Sequence, residues 1–325
     1  EGAGNTTITL KGDNTLTSGG NYAGLEHNQK SDGGSDTGKL TITSGTNDDG
    51  SNTGSLTATG GSGAAGIGSS DSNGAGTIEI TGGNITAKGG DNGAGIGSGS
   101  MAAGNTNITI SGGTIEEAVG GSTGDGIGGG SGSKNITVTI QGGTIKKAQG
   151  GDGKTTAGHG IHSDGDLTIS GNATITNATG GASTDGYGGD GIHSDGKLTI
   201  SGGTIGTAQG GGGKTTGGAG IYSIDDLTIS GGNINAKGGD STDNTGGDGI
   251  HGDDKLTISG GTIETAQGGT SSNKNGGNGI FGWQTVEILG GIIKKATGGN
   301  GNGGTGTGGS GIRGDYVVNI SGGII

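Results

Sequence analysis

Nine isoleucines, at positions 80, 110, 140, 169, 200, 229, 258, 288 and 320, recur at intervals of 30, 30, 29, 31, 29, 29, 30 and 32 residues. Each closes a short apolar run and is followed by a Gly-containing turn and a further Ile, as in Ile110-Ser111-Gly112-Gly113-Thr114-Ile115. A period this steady implies one supersecondary unit stacked on itself, because a single unit cannot bury its own apolar face. Function then has to be sought in columns of equivalent residues across units.

Composition narrows the unit. Glycine supplies 94 of 325 residues while Pro and Cys are absent, which excludes a collagen helix and a disulfide scaffold. Only 24% of residues are hydrophobic, too few for a large central core but enough for a solenoid whose coils each bury a few aliphatic side chains.

Three landmarks recur from about residue 61. The first is a Leu/Ile-Thr-Ile-Ser strand such as Leu167–Ser170, whose period-two alternation puts Leu167 and Ile169 on one face. The second is Thr-Ile-x-x-Ala, as in Thr144–Ala148, and the third is a Gly-Ile pair ending at Ile67, Ile96, Ile127, Ile161, Ile192, Ile221, Ile250, Ile280 and Ile312. Three short strands per coil of about 30 residues predict an all-β parallel β-helix (a β-solenoid) with three sheets, Gly providing the positive φ values at its corners. Nine coils at about 4.8 Å each predict a rod roughly 45 Å long. A variable corner, such as Gly150–Gly160 or Gly298–Gly311, absorbs most of the length variation, and such an edge is where solenoids tend to carry function.

Residues 1–60 are less regular, with strand-like Thr6–Leu10, Leu40–Thr43 and Leu56–Thr59, and are expected to form divergent N-terminal coils continuous with the regular repeats of 61–325 in one rod. The chain stops inside a coil, at Ile324-Ile325, which is expected either of a piece of a longer protein or of an end that stacks on another molecule.

Inward Ile columns and an Ala column (Ala118, Ala148, Ala178, Ala208, Ala266, Ala296) account for packing. Glu116-Glu117 stand one coil from Lys146-Lys147, and Glu264 one coil from Lys294-Lys295, so exposed cross-coil ion pairs are expected that help fix the stacking register.

One column is chemically distinctive. The residue after the third-strand Ile is Gly68, Gly97 and Gly128 in early coils and then His162, His193, Tyr222, His251, Phe281 and Arg313. Asp164, Asp195, Asp253 and Asp315 stand two residues further on, Trp283 takes that place in the Phe281 coil, and Asp125, His159, Asp190, Asp248 and Asn278 stand two residues before the Ile. Outward rings beside carboxylates suit sugar docking through ring stacking and hydroxyl hydrogen bonds, making His162, His193, Tyr222, His251, Phe281 and Trp283 the candidate ligand-binding set. A stiffening ring ladder is the bland alternative. Zinc binding by His162, His193 and His251 is disfavoured by Tyr222, which interrupts the column. Carboxylates stacked about 5 Å apart repel, at an effective dielectric of 20, by roughly 3 kcal/mol. A hard cation such as Ca²⁺ would relieve this, and the candidate ligands are Asp164, Asp166, Asp190, Asp195, Asp225, Asp226, Asp248, Asp253 and Asp254. The same residues also suit turns, where Asp bonds local amides.

The run Gly-Asp-Gly-Ile-His-Ser-Asp-Gly-Lys-Leu-Thr-Ile-Ser-Gly-Gly-Thr-Ile at 189–205, with copies at 158–175, 218–234 and 247–263, resembles the repeat of the clostridial calcium-binding, polysaccharide-lyase-like β-helix family of surface carbohydrate-binding proteins. The Gly-Ala-Gly-Ile-Gly variants resemble repeats of Gly-rich adhesins of Gram-positive bacteria. The match covers about residues 120–265. The resemblance implies a right-handed β-helix, Ca²⁺ at Asp-bearing corners (Asp190, Asp195, Asp248 and Asp253 match best), and binding of acidic or cellulosic polysaccharide. Ala219 breaks the Asp row.

The net charge of −13 argues against nucleic acid, and no segment approaches the roughly 20 apolar residues of a membrane span. No signal peptide opens the sequence, so an exported protein would be in its mature form. The expected function is a non-catalytic, secreted rod at a bacterial cell surface, acting as an adhesin or polysaccharide-binding module for a polysaccharide or a host or neighbour-cell glycan. The alternative is a structural fibre or stalk subunit that self-associates end to end. A lyase is disfavoured because it needs a Lys or Arg base beside the cation and Arg313 is the sole Arg. Ice binding by the Thr column (Thr139, Thr168, Thr199, Thr228, Thr257) is disfavoured because a single column is narrower than a lattice-matching face.

Overall fold

The computed structural model describes residues 4–29, 38–45, 54–304 and 306–325. Every strand pairing is parallel, and the strands form three long sheets of 11, 13 and 10 strands, so each coil contributes to each sheet in turn. The predicted β-solenoid is therefore the observed architecture. The first sheet runs from Thr6–Leu10 to Val317–Ile320, and the second from Asp13–Thr17 to Ile292–Ile293. The third runs from Leu25–Glu26 to Ile312–Gly314. Strands Lys39–Ser44 and Ser55–Thr59 pair in register with the regular coils, and Thr6–Leu10 pairs with Lys39–Ser44; several residues of the 1–60 segment lie outside the described set.

Register follows the repeat. Leu167, Thr168 and Ile169 pair with Leu198, Thr199 and Ile200, and Ala148 pairs with Ala178. The Ile column from Ile80 to Ile288 is 0–1% exposed, so the lumen is a dry aliphatic stack. The Ala column continues through Ala236, which the sequence spacing concealed. The strand Asn233–Lys237 is one residue shorter between its Ile and Ala, and a bulge in Thr204–Gln209 takes up the difference.

Close backbone approach is what the Gly-Ile landmark provides. A Cβ on Gly191 would meet the amide nitrogen of Gln209 and the carbonyl oxygen of Gly220 at 2.6 Å, well inside contact distance. The expected ion pairs form on the outer surface, with Lys146 to Glu116 at 2.8 Å, Lys147 to Glu117 at 3.7 Å and Lys294 to Glu264 at 2.8 Å.

These features separate structural from marginal contributions. Gly191→Ala should lower stability by about 1–3 kcal/mol through forced backbone displacement, whereas a double-mutant cycle on Glu116 and Lys146 should give coupling of about 1 kcal/mol or less. Thermal melts of the wild type and these four variants check both.

Candidate functional site

The third sheet sets the directions of the site's side chains. In Ile192-His193-Ser194 the Ile points into the lumen, the His outward, and the Ser inward again, where Ser194 Oγ donates to the Gly165 carbonyl at 3.0 Å. The same alternation stacks His162, His193, Tyr222, His251, Phe281 and Arg313 in register, as the sequence predicted.

The column begins at His162 for a backbone reason. Gly68, Gly97 and Gly128 adopt φ of 137°, 138° and 149°, and a Cβ on Gly97 would meet the Gly128 carbonyl at 1.8 Å. No ring fits there. From His162 onward the strand lengthens to three residues and φ is no longer positive, so side chains are admitted.

The rings are not the flat outward row that the sequence suggested. Neighbouring centroids from His162 to Phe281 lie 4.7–5.1 Å apart, with interplanar angles of 84°, 85°, 50° and 67°. Tilted and edge-on contacts are the arrangement ring quadrupoles favour. His193 and Phe281 are only 8% and 7% exposed. The variable corner stacks on itself through Thr156, Tyr187, Thr216 and Thr245, giving a wall beside the ladder. Between wall and ladder lies a groove of about 620 Å³, lined by Tyr187, Tyr222, His251, Phe281, Trp283 and Arg313 among others. Tyr187 and Trp283 present 58% and 54% of their surface to solvent. Phe281 also sits beneath Arg313, whose Cζ is 5.4 Å from the ring centre, and Arg313 in turn holds Asp315 at 2.7 Å.

The column two residues before the Ile has a structural task. Asp125 Oδ1 accepts the His159 amide at 2.8 Å, His159 Nδ1 accepts the Asp190 amide at 2.9 Å, and Asn278 Oδ1 accepts the Ser310 amide at 2.9 Å. Asp190 and Asp248 accept the amides of Ala219 and Asn278 in the same way. Each side chain thus satisfies a backbone donor of the next coil. Ala219 cannot, so the Asp248 amide is left without a side-chain acceptor.

The second oxygens of these carboxylates hold the rings. Asp125 Oδ2 takes His162 Nδ1 at 2.8 Å, and Asp190 Oδ2 takes His193 Nδ1 at 2.6 Å. Asp195 Oδ1 takes His193 Nε2 at 2.8 Å. His251 lies between Asp248 at 3.0 Å and Asp253 at 2.9 Å as ion-pair contacts, its Nε2 without an aligned hydrogen bond, and Tyr222 Oη donates to the other Asp253 oxygen at 2.7 Å. Burial opposes charge on His193 and His251, but their paired carboxylates prevail and raise both pKa values to about 9. Burial likewise opposes charge on His162, and Asp125 outweighs it, raising the pKa. Burial, with the charge of His193, holds His159 below its ordinary value, in keeping with an Nδ1 that accepts. Burial raises Asp164. Asp190 is held far below the usual carboxylate range because its imidazole partners outweigh its burial.

Among the described residues no three of the nine Asp residues expected to bind cation cluster closely enough to share an ion, and several accept neighbouring donors. Asp164 Oδ2 accepts the Ile136 amide at 3.0 Å, Asp166 Oδ1 the Lys197 amide at 3.0 Å, and Asp254 Oδ1 the Gln284 side chain at 2.6 Å. Asp226 lies 3.8 Å from Lys197 Nζ, and Asp225 is exposed. Asp190 and Asp195 fall in clusters of metal-ligating groups, and among the described residues those clusters are Asp125–His159–His162, His159–Asp190–His193 and His162–His193–Asp195. Each contains imidazole nitrogen, which fits an oxygen-seeking Ca²⁺ poorly. Sequence inspection placed His159 and Asp125 in their column without giving them a role; three of the chain's 5 His in adjacent coils was the available signal.

No protein-family model, curated protein or solved structure matches this chain.

Two predictions follow from this geometry. Ala219→Asn should raise the melting midpoint by supplying the missing acceptor for the Asp248 amide; no change, with the fold intact, would mean water already serves it. The pKa of His251 is higher folded than unfolded (about 9 against 6.5), so its contribution is complete below about pH 6.5 and is lost as pH rises through 9. The stability gap between wild type and His251→Gln should therefore be widest near pH 6 and close by about pH 10, as read by urea melts across that range.

Proposed function

We propose that the chain is a non-catalytic, extracellular rod that binds polysaccharide in the groove between the ring ladder and the corner wall. The observation that carries this reading is the pair of exposed aromatics along that groove. Tyr187 precedes the coil of Ile192, and Trp283 belongs to the coil of Ile280, three rungs further on. At about 4.8 Å per rung they are separated by roughly 14 Å along the axis. Two accessible ring faces at that spacing, with threonine and asparagine hydroxyls and amides between them (Thr216, Thr245, Asn275), suit successive sugar units of an extended glycan. A groove of about 620 Å³ lies within the range of small-ligand sites, and its open side admits a chain longer than the groove.

Charge favours a neutral glycan. The carboxylates of the groove are balanced by protonated His193 and His251 and by Arg313, while the net charge of −13 repels polyanions. The resemblance to surface carbohydrate-binding repeats supports a cell-surface setting.

Affinity electrophoresis in gels containing neutral or uronate-rich polysaccharides tests the proposal. At least one neutral polysaccharide should retard the wild type, and Tyr187→Ala/Trp283→Ala should lose most of that retardation with an unchanged melting midpoint. Free migration in every neutral gel, or retardation indifferent to both aromatics, would overturn it.

A further inference from the structure

The imidazole cluster at the early end of the ladder has a property that ring packing does not require. His159, His162 and His193 have centroids 4.3–5.1 Å apart, and two of them are anchored through Nδ1 by buried carboxylates, Asp125 at 4% and Asp190 at 8% exposure. With Nδ1–H donated to Asp125, His162 keeps Nε2 free as a lone-pair donor. His193 Nε2 points at Asp195 Oδ1, 2.8 Å away. Anchoring one ring nitrogen on a carboxylate while the other faces outward is how proteins orient metal-ligating histidines. We propose that His162, His193 and Asp195 form a binding site for a divalent ion of the Zn²⁺ class, with Asp125 and Asp190 as the residues that position the two rings.

The ion would take the place of the proton shared by His193 and Asp195. That proton leaves to solvent as the Nε2 lone pair becomes available. The donor atoms of the trio lie within 4.8 Å of one another, against about 3.3 Å between ligands of a tetrahedral ion with bonds near 2.0 Å. His193 Nε2 and Asp195 Oδ1 already lie 2.8 Å apart, so the gap is on the His162 side, and side-chain movement of an ångström or so closes it. Two imidazoles and a carboxylate leave a fourth position for water. A pocket of about 170 Å³ lined by Asp125, His159 and His162 opens beside the first ring of the trio. His159 is excluded as a ligand because its Nδ1 accepts the Asp190 amide, which leaves the proton of the neutral ring on Nε2. The donor set discriminates against Ca²⁺, since imidazole suits borderline ions and Ca²⁺ seeks six to eight oxygens.

Isothermal titration of ZnCl₂ into the untagged chain near pH 8, without glycan, provides the test and is independent of whether the groove binds sugar. One ion per chain should bind with a rise in melting midpoint, and Co²⁺ should give the visible absorption of a four-coordinate nitrogen–oxygen site. Asp195→Asn, chosen because this side chain is solvent-facing and its loss should leave the fold intact, should weaken binding at least tenfold. Asp125→Asn should weaken it about 10–100-fold, the usual cost of removing an orienting partner. His251→Gln, further along the ladder, should leave affinity unchanged. The proposal is overturned if no Zn²⁺ binds below about 100 μM, if Asp195→Asn binds as the wild type does, if His251→Gln weakens binding as much as Asp195→Asn, or if Ca²⁺ competes at equal concentration.

Discussion

Parallel stacking at hydrogen-bonding distance is the constraint from which the rest of this molecule follows. Each coil must bring its backbone to within about 4.8 Å of the next along three sheets at once, and the corners between sheets leave little volume for side chains. Glycine therefore has a positional meaning here that composition alone conceals. At Gly191 even one methyl group would collide with the backbone of the next coil. The dry aliphatic lumen, 0–1% exposed from Ile80 to Ile288, stabilises the stack, and the glycines permit it to close.

The same constraint explains why the site occupies only part of the rod. Third-sheet positions Gly68, Gly97 and Gly128 sit at φ values that L side chains rarely adopt, so the early coils present bare backbone where the later ones present rings. Once the strand relaxes at His162, each outward side chain lies one rung from its equivalents, and their chemistry couples. Asp253 is shared by Tyr222 and His251 from adjacent coils, and Asp190 serves the Ala219 amide and the His193 ring together. A substitution in one coil is therefore felt in the next.

Much of this was legible in the sequence, for a physical reason. Strand direction, register and the inward or outward sense of each residue are all fixed by a two-residue alternation repeated about every 30 residues, so the column from His162 to Arg313 could be aligned without coordinates. Two things were hidden. The variable corner changes in length and residue type from coil to coil, which hid its stacking into a wall, and the burial of His193 and Phe281 depends on neighbouring side chains that the spacing does not show. The second is the amide-accepting role of Asp125, His159, Asp190, Asp248 and Asn278. Those five look chemically unlike, but what they share is an acceptor atom at one distance from the backbone, and only the bend before the third strand shows why that atom is needed. Among the Asp residues expected to hold a cation, Asp164, Asp166 and Asp254 each give one oxygen to a neighbouring amide, a structural use the spacing did not reveal.

That double duty bears on how function arises in a repeat protein with so few aliphatic residues. An acceptor that must be present to satisfy an amide has a second oxygen left over when it is a carboxylate, and none when it is His159, whose Nδ1 is already used. Where the acceptor is Asp125, Asp190 or Asp248, the spare oxygen meets an imidazole three residues or one coil away and fixes both its orientation and its charge. Where the acceptor is Asn278, the outward partner is Phe281, which needs no counter-charge and packs under Arg313 instead. The chemical gradient along the ladder, from carboxylate-anchored imidazoles near His162 to the apolar and cationic surface near Phe281, is thus set by which acceptor each coil uses for one backbone amide.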